Sequence, residues 1–401
     1  MEKKSLMPKM FFGSRILSCI GFLLSVVPSP GASGQEAGPH QGWEAVRLWE
    51  VGDLMGPISF SRIGDLGISP EGRLFVSQPS LAEVWEFDLD GNRVSTLGRR
   101  GRGPGEFESP NAVFFRGDTL VVWDDRIFLL SYFDSSGRFI ESHRAGVMSS
   151  DLGVLGDGSI ISISASMPTR DLANGRVTEL PLRRLPPEGK TSERIALLSV
   201  QHWMMEVEIG TGKLYGPQPF ADHDLWRVAD DGRAMVVIRR RVDQLDSPAT
   251  FSLSLFDSSG IEVERRDFPF DPIPLDRRTI REAAEGQSRE VIAMRVARNL
   301  DTPKGAYSPE RFRAAYYRPE VQPPVEDIAF GPGGEIWLRR ETQAGRSTVP
   351  WMVLDANLNV IASVELPADV TIILPAGERV FAARRDEMDV DHLLCFRLSR
   401  N

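Results

Sequence analysis

The sequence predicts an all-β fold: a six-bladed β-propeller closed by an N-terminal strand, with a helical insertion between the fourth and fifth blades. Three observations predict it. From Leu66 to the C-terminus, short apolar strands alternate with Gly/Asp/Pro turns, the pattern of an antiparallel meander. One such unit recurs six times, and a meander that cannot bury both faces alone must stack on its neighbours. The last unit lacks a fourth strand, whereas Trp43 to Val51 is a strand with no hairpin partner nearby. Joining the two closes a ring and removes the exposed edges an open array would leave.

The elements follow in order. Residues 1–34 read as an export signal, with Lys3, Lys4, Lys9 and Arg15 before the apolar Ile16 to Val27 and small residues from Pro28 to Gly34. The apolar run is shorter than the roughly 20 residues needed to span a bilayer. Export to the periplasm or the extracellular space is therefore expected, with no membrane span after cleavage. Four of the 47 basic and one of the 56 acidic residues lie in the signal, so the remainder carries a net charge of −12. That charge argues against nucleic acid as a partner. Of the two cysteines only Cys395 would remain, so no intrachain disulfide is expected.

Trp43 to Val51 alternates apolar and polar residues. The first turns of the six units are Pro70 to Gly72, Arg116 to Asp118, Gly156 to Gly158, Asp230 to Gly232, Gly331 to Gly334 and Leu374 to Gly377. Second turns follow at Asp88 to Gly91, Asp134 to Gly137, Pro187 to Gly189, Asp257 to Gly260 and Asp355 to Leu358. An Asp at the first position bonds back to the turn, and Gly accepts the positive φ that the turn requires. The first turns are 45, 41, 74, 102 and 43 residues apart. The two long intervals imply insertions of about 30 and about 60 residues relative to a blade of about 40–45. The first falls around Gln201 to Asp224. The second, residues 269–324, has helical spacing from Asp276 to Leu300 and a helix start at Ser308-Pro309, and serves as a lid, a partner surface or cover for a blade edge.

The six units resemble the NHL-repeat-like six-bladed β-propellers, especially exported bacterial members of uncharacterised role. The resemblance is carried above all by Gly98-x-x-Gly101-x-Gly103-Pro104-Gly105-Glu106-Phe107-x-x-Pro110. It covers roughly residues 43–400 and implies a fold rather than a chemistry, because the architecture hosts lyases, lactonases, receptors and scaffolds.

Catalytic motifs are missing from the sequence. The five histidines are scattered, without HxxxH or HExxH spacing. There is no GxSxG elbow, and the glycine-rich stretch at Gly98 to Gly105 lacks the Lys-Ser/Thr of a P-loop and leads into a strand. Trp85, Trp123, Trp337 and Trp351 lie in strands as packing residues, whereas Trp203, beside His202, is a candidate for a ligand cleft.

A positive pattern remains. The ends of the second strands carry Asp124-Asp125-Arg126, Arg239-Arg240, Arg339-Arg340 and Arg384-Arg385, and the loop entering the second blade adds Arg99, Arg100 and Arg102. On one face of a ring these would form a basic mouth for a carboxylate, sulfate or phosphate group, through guanidinium forks. The alternative is that the arginines pair with Asp125, Glu341, Asp386 and Glu387 of neighbouring blades. The expectation is a monomeric, non-enzymatic binding module for a small anionic ligand, a glycan or a protein partner, without a cofactor. The rival is a metal-assisted hydrolase or lyase holding calcium or zinc in the central channel.

Overall fold

The computed structural model describes residues 41–400 except 148, 150–151, 164–168, 188–190, 211, 242–247, 298–299, 304, 344, 387 and 389. The signal expected at 1–34 lies outside the described residues.

The chain begins with β1 (Gln41–Val51). The first antiparallel sheet is β2 (Leu66–Ile68), β3 (Leu74–Gln78), β4 (Glu83–Phe87) and β5 (Arg93–Leu97). The second is β6 (Pro110–Arg116), β7 (Thr119–Asp124), β8 (Leu129–Phe133) and β9 (Phe139–Arg144). The third holds β10 (Leu152–Val154) and β11 (Ile160–Ile163), then, after the short helix α1 (Thr169–Ala173), β12 (Glu179–Leu185) and β13 (Glu193–Ser199). A separate hairpin, β14 (Met204–Ile209) and β15 (Gly212–Pro217), leads to the fourth sheet: β16 (Leu225–Val228), β17 (Ala234–Arg239), β18 (Ala249–Asp257) and β19 (Glu262–Phe270). Helices α2 (Arg277–Ala297) and α3 (Pro309–Ala315) come next. The chain ends in two meanders, β20 (Val325–Phe330) to β23 (Val360–Pro367) by way of β21 (Ile336–Arg340) and β22 (Thr348–Leu354), then β24 (Val370–Ala376), β25 (Arg379–Arg385) and β26 (Asp391–Arg400).

The sheets are arranged like a propeller. Innermost strands follow one another round the axis: β24 packs against β2 and β20, β2 against β6, and β16 against β10 and β20. Arg116 at the end of β6 donates to the Val154 carbonyl of β10. One apolar layer fills each space between consecutive meanders, and the layer of Leu66, Leu74, Phe381 and Leu393 joins the first to the last. The outermost strand of the first sheet faces solvent, with Arg93 to Thr96 of β5 exposed.

The unpartnered N-terminal strand finds its place. β1 pairs antiparallel with β26, from Trp43 opposite Arg400 to Val51 opposite Leu393. The separation into six sheets requires a correction. β1 continues past that pairing, and Gln41 to Trp43 lie parallel to Ala362 to Val364 of β23. This stitches the last two meanders into one eight-stranded sheet beside the four four-stranded sheets. The physical reason is length: an 11-residue strand outruns its partner's edge, and its free N–H and C=O groups take the next available strand.

The turns form for the reasons their residues suggest. Asp88 Oδ1 accepts the amides of Asp90 and Asn92, and Asp134, Asp257 and Asp355 repeat this geometry. Gly91, Gly137 and Gly260 carry φ of 86, 78 and 77° at the last turn position, whereas the fourth copy puts Leu358 there at φ 58°. Leu358 is fully buried, so burial of its side chain offsets the strain. The expected helix of the second insertion is α2, capped by Asp276, whose Oδ1 accepts the Thr279 amide at 2.7 Å. The surplus length of the third unit is not confined to residues 201–224. Part of it makes α1, between the second and third strands of that sheet.

Trp43 is buried against Trp337, ring centroids 6.1 Å apart, at the junction of β1, β23 and β26. Trp43→Ala is expected to cost about 3–5 kcal/mol. Urea unfolding checks this, and a loss below about 1 kcal/mol would show that the seam does not hold the ring.

Candidate functional site

In each meander the start of the first strand and the end of the second lie at the same edge, so these ends share one face of the ring. The insertions rise from it. Met205, Val207 and Phe220 of the hairpin segment form one apolar cluster with Ala283 and Ala284 of α2, Phe312 of α3, and Tyr307 and Tyr316. Gln218 donates to the Ala315 carbonyl and accepts from the Tyr317 amide. The two insertions foreseen separately are therefore one cap.

Beneath the cap the polar groups are engaged with one another. Asp222 accepts from Tyr317 Oη at 3.1 Å and lies 3.3 Å from His202 Nδ1, while the His202 and Tyr317 rings stack with centroids 3.5 Å apart. Trp203 stacks on His223 at 5.4 Å. Burial, reinforced by Arg240, pushes the His223 pKa well below the usual imidazole range. Arg240 is 6% exposed and donates to the carbonyls of His223 and Val325, both at 2.7 Å. Burial lowers its pKa to about 10. Arg339 pairs with Glu326 at 2.9 Å and donates to the Val370 and Ala368 carbonyls. Burial, followed by the neighbouring Glu326, pushes the Glu341 carboxyl well above its ordinary range. Arg340 donates to the Pro324 carbonyl at 3.0 Å and lies over the Phe251 ring, with its pKa lowered by burial to about 10. Arg239 donates to Ser254, Arg384 pairs with Glu50 and Asp369, and Arg385 pairs with Asp391 at 2.6 Å.

The arginine pairs of the fourth and later meanders thus meet internal partners, mostly not the carboxylates beside them in sequence. Glu50, Glu326, Asp369 and Asp391 lie at strand starts and ends, where only the ring shows which arginine each will meet. Among the described residues no three His, Cys, Asp or Glu side chains are grouped to hold a metal ion.

The second sheet differs. Phe107 is fully buried, and a side chain at Gly98 would collide with its ring, so the glycine allows the loop to close. Arg99 pairs with Glu106 at 2.8 Å, and Arg100 donates to the Ser80 carbonyl at 2.6 Å. Asp124, 1% exposed, accepts the Glu108 and Ser109 amides on one oxygen and the Arg126 and Ile127 amides on the other. It is therefore a positioning residue that sets Glu108 beside Arg126. Glu108 pairs with Arg126 at 3.1 Å and also with Arg102. Arg102 chiefly holds the Glu108 carboxyl below its ordinary range.

Of these residues Arg102 and Arg126 border an open groove of about 400 Å³. Its polar part is Arg102, Arg126, Arg144 and Ser142, and its apolar part Ile127, Phe128 and Leu129. Arg144, exposed at the end of β9, has no ion-pair or hydrogen-bond partner for its side chain among the described residues. Sequence reasoning found Arg126 but missed Arg144, which sits on an outer strand away from the segments compared. Aligning the first two sheets by strand pairing would have marked it, since Arg144 stands where the first has Gly98.

No protein-family model and no curated protein matches the sequence. Among solved structures the chain is similar to a DUF4221 family member from Bacteroides vulgatus, at 10% identity and TM-score 0.47, covering 90% of this chain and 100% of that one. It is also similar to the PQQ-bound aldose sugar dehydrogenase of Streptomyces coelicolor, at 13% identity and TM-score 0.44, covering 90% and 100%. A third is virginiamycin B lyase of Staphylococcus aureus, at 13% identity and TM-score 0.41, covering 89% and 100%. At such distance no residue role transfers.

Two variants separate structure from site. Arg240→Ala leaves two buried carbonyls without donors and is expected to cost roughly 2–4 kcal/mol; an unchanged urea midpoint would show that water replaces it. Asp125 is pushed up to about 6, first by burial and then by Asp124, and its Oδ1 has no hydrogen-bond partner. The folded chain therefore holds this proton more tightly than the unfolded chain, and stability falls as pH rises from about 4 through about 6. Asp125→Asn is expected to raise the melting temperature over the parent at about pH 7.5 and not at about pH 4; equal differences at both would refute the shift.

Proposed function

We propose that the chain is an exported, non-enzymatic binding module whose ligand carries an anionic group, taken up in the groove of the second sheet. In this reading the eight-stranded sheet counts as two blades, giving six in an NHL-like propeller. One observation carries it: in a chain of net charge −9, three guanidinium groups border one open groove and Arg144 has no internal partner among the described residues. An uncommitted arginine gains more from an incoming carboxylate or phosphate than one already engaged. Because the groove is open to solvent, binding should weaken with added salt.

Calorimetric titration with acetate, sulfate and phosphate at low ionic strength tests this. Arg144→Ala is expected to weaken binding about tenfold and to leave the melting temperature nearly unchanged, as for an exposed residue. The proposal fails if no anion binds, or if Arg144→Ala binds as the parent does.

A further inference from the structure

The groove is more selective than its charge alone requires, because part of its surface is apolar and a carboxylate beside it already occupies two of its cations. The Glu108 carboxylate meets Arg102 with Oε1 and Arg126 with Oε2. It bridges two guanidinium groups as a ligand carboxylate would, and it remains ionised because those same arginines hold its pKa down. An anion that reaches from Arg144 toward Arg126 therefore meets a carboxylate already seated there.

The second element is Phe128. It takes φ 55°, and the first sheet shows that the turn itself demands this, since Ala82 holds the equivalent place at φ 61°. A bulky residue in that conformation is costly, and alanine suffices where only the turn matters. In the second sheet an aromatic ring stands there instead, 6.3 Å from Trp123 and lining the groove. Ser80 and Gly98 of the first sheet stand where the second has Arg126 and Arg144. The aromatic residue and both cations thus occur together in one sheet at one place.

Resting on the binding reading above, we infer that the ligand is a carboxylate carried on a six-membered ring with an apolar face, and that Glu108 is an internal competitor for it. The carboxylate goes to Arg144 and displaces Glu108 from Arg126, while the ring lies on Phe128 and Ser142 offers a hydroxyl to the ring's substituents. Inorganic anions fill the charged part only, and Glu108 opposes them without compensation from the apolar part. A uronic acid and an aryl carboxylate share the required chemistry.

The test is calorimetry on the chain without its signal, with galacturonate, benzoate, acetate and sulfate at equal ionic strength. Both ring carboxylates are expected to bind at least about fivefold tighter than acetate. Glu108→Gln is expected to tighten all anions about tenfold, and Phe128→Ala, which copies Ala82, to abolish the ring preference while leaving acetate unchanged. Galacturonate tighter than benzoate assigns an acidic sugar, and the reverse assigns an aryl acid; either supports the inference. Equal binding of acetate and the ring carboxylates overturns it and leaves the anion site standing, as does weaker binding by Glu108→Gln. If no probe binds either the parent or Glu108→Gln, the binding reading falls with it.

Discussion

The pairing of β1 with β26 is the constraint on which the molecule depends. It joins the first described residues to the last, from Trp43 opposite Arg400 to Val51 opposite Leu393. Closing so long a loop costs chain entropy, although that cost grows only slowly with length. The return is a sheet in which each inner strand has neighbours on both sides, with an apolar layer between every consecutive pair of meanders. The further parallel pairing with β23 ties the closing strand to two meanders. Only in a closed ring do the loops that enter first strands and leave second strands come to one face.

Arginine is used in two opposite ways on this face. Under the cap Arg240 is desolvated, and Arg240 and Arg339 have guanidinium groups committed to carbonyls, with Glu326 added for Arg339. A charge removed from water is tolerated there only because each donor finds an acceptor, and such groups act as ties between meanders. On the second sheet Arg102, Arg126 and Arg144 stay in solvent, where a surface ion pair contributes little to stability. Cations that contribute little to folding are the ones left for a ligand. The same residue type therefore supports the fold on one side of the face and recognition on the other, and burial decides which.

The turns, strands and closing strand were legible because they rest on local chemistry. Asp88, Asp134, Asp257 and Asp355 announce their turns by a side-chain oxygen within reach of the next amides, whatever the remainder of the chain does. Helical spacing announces α2, which Asp276 then caps. What escaped lacked such a local signature. Helix α1 is five residues long with no buried side chain, and β14 and β15 pair only with each other. The fusion of the last two meanders depends on how far β1 runs beyond β26, which its alternation of apolar and polar residues does not encode.

For the site, the sequence by itself determined which charged residues stand at strand ends, and so which side chains reach this face at all. It could not decide which of them remain free. Arg126 and Arg240 both follow a second strand, yet one lies in an open groove and the other is 6% exposed beneath a cap built from segments more than 60 residues apart in the chain. Arg144, on an outer strand, enters the groove only because β8 and β9 pair in a register that sets it opposite Leu129. Whether a guanidinium is solvated or paired depends on neighbours brought by ring closure and capping, and those contacts exist only in the tertiary structure.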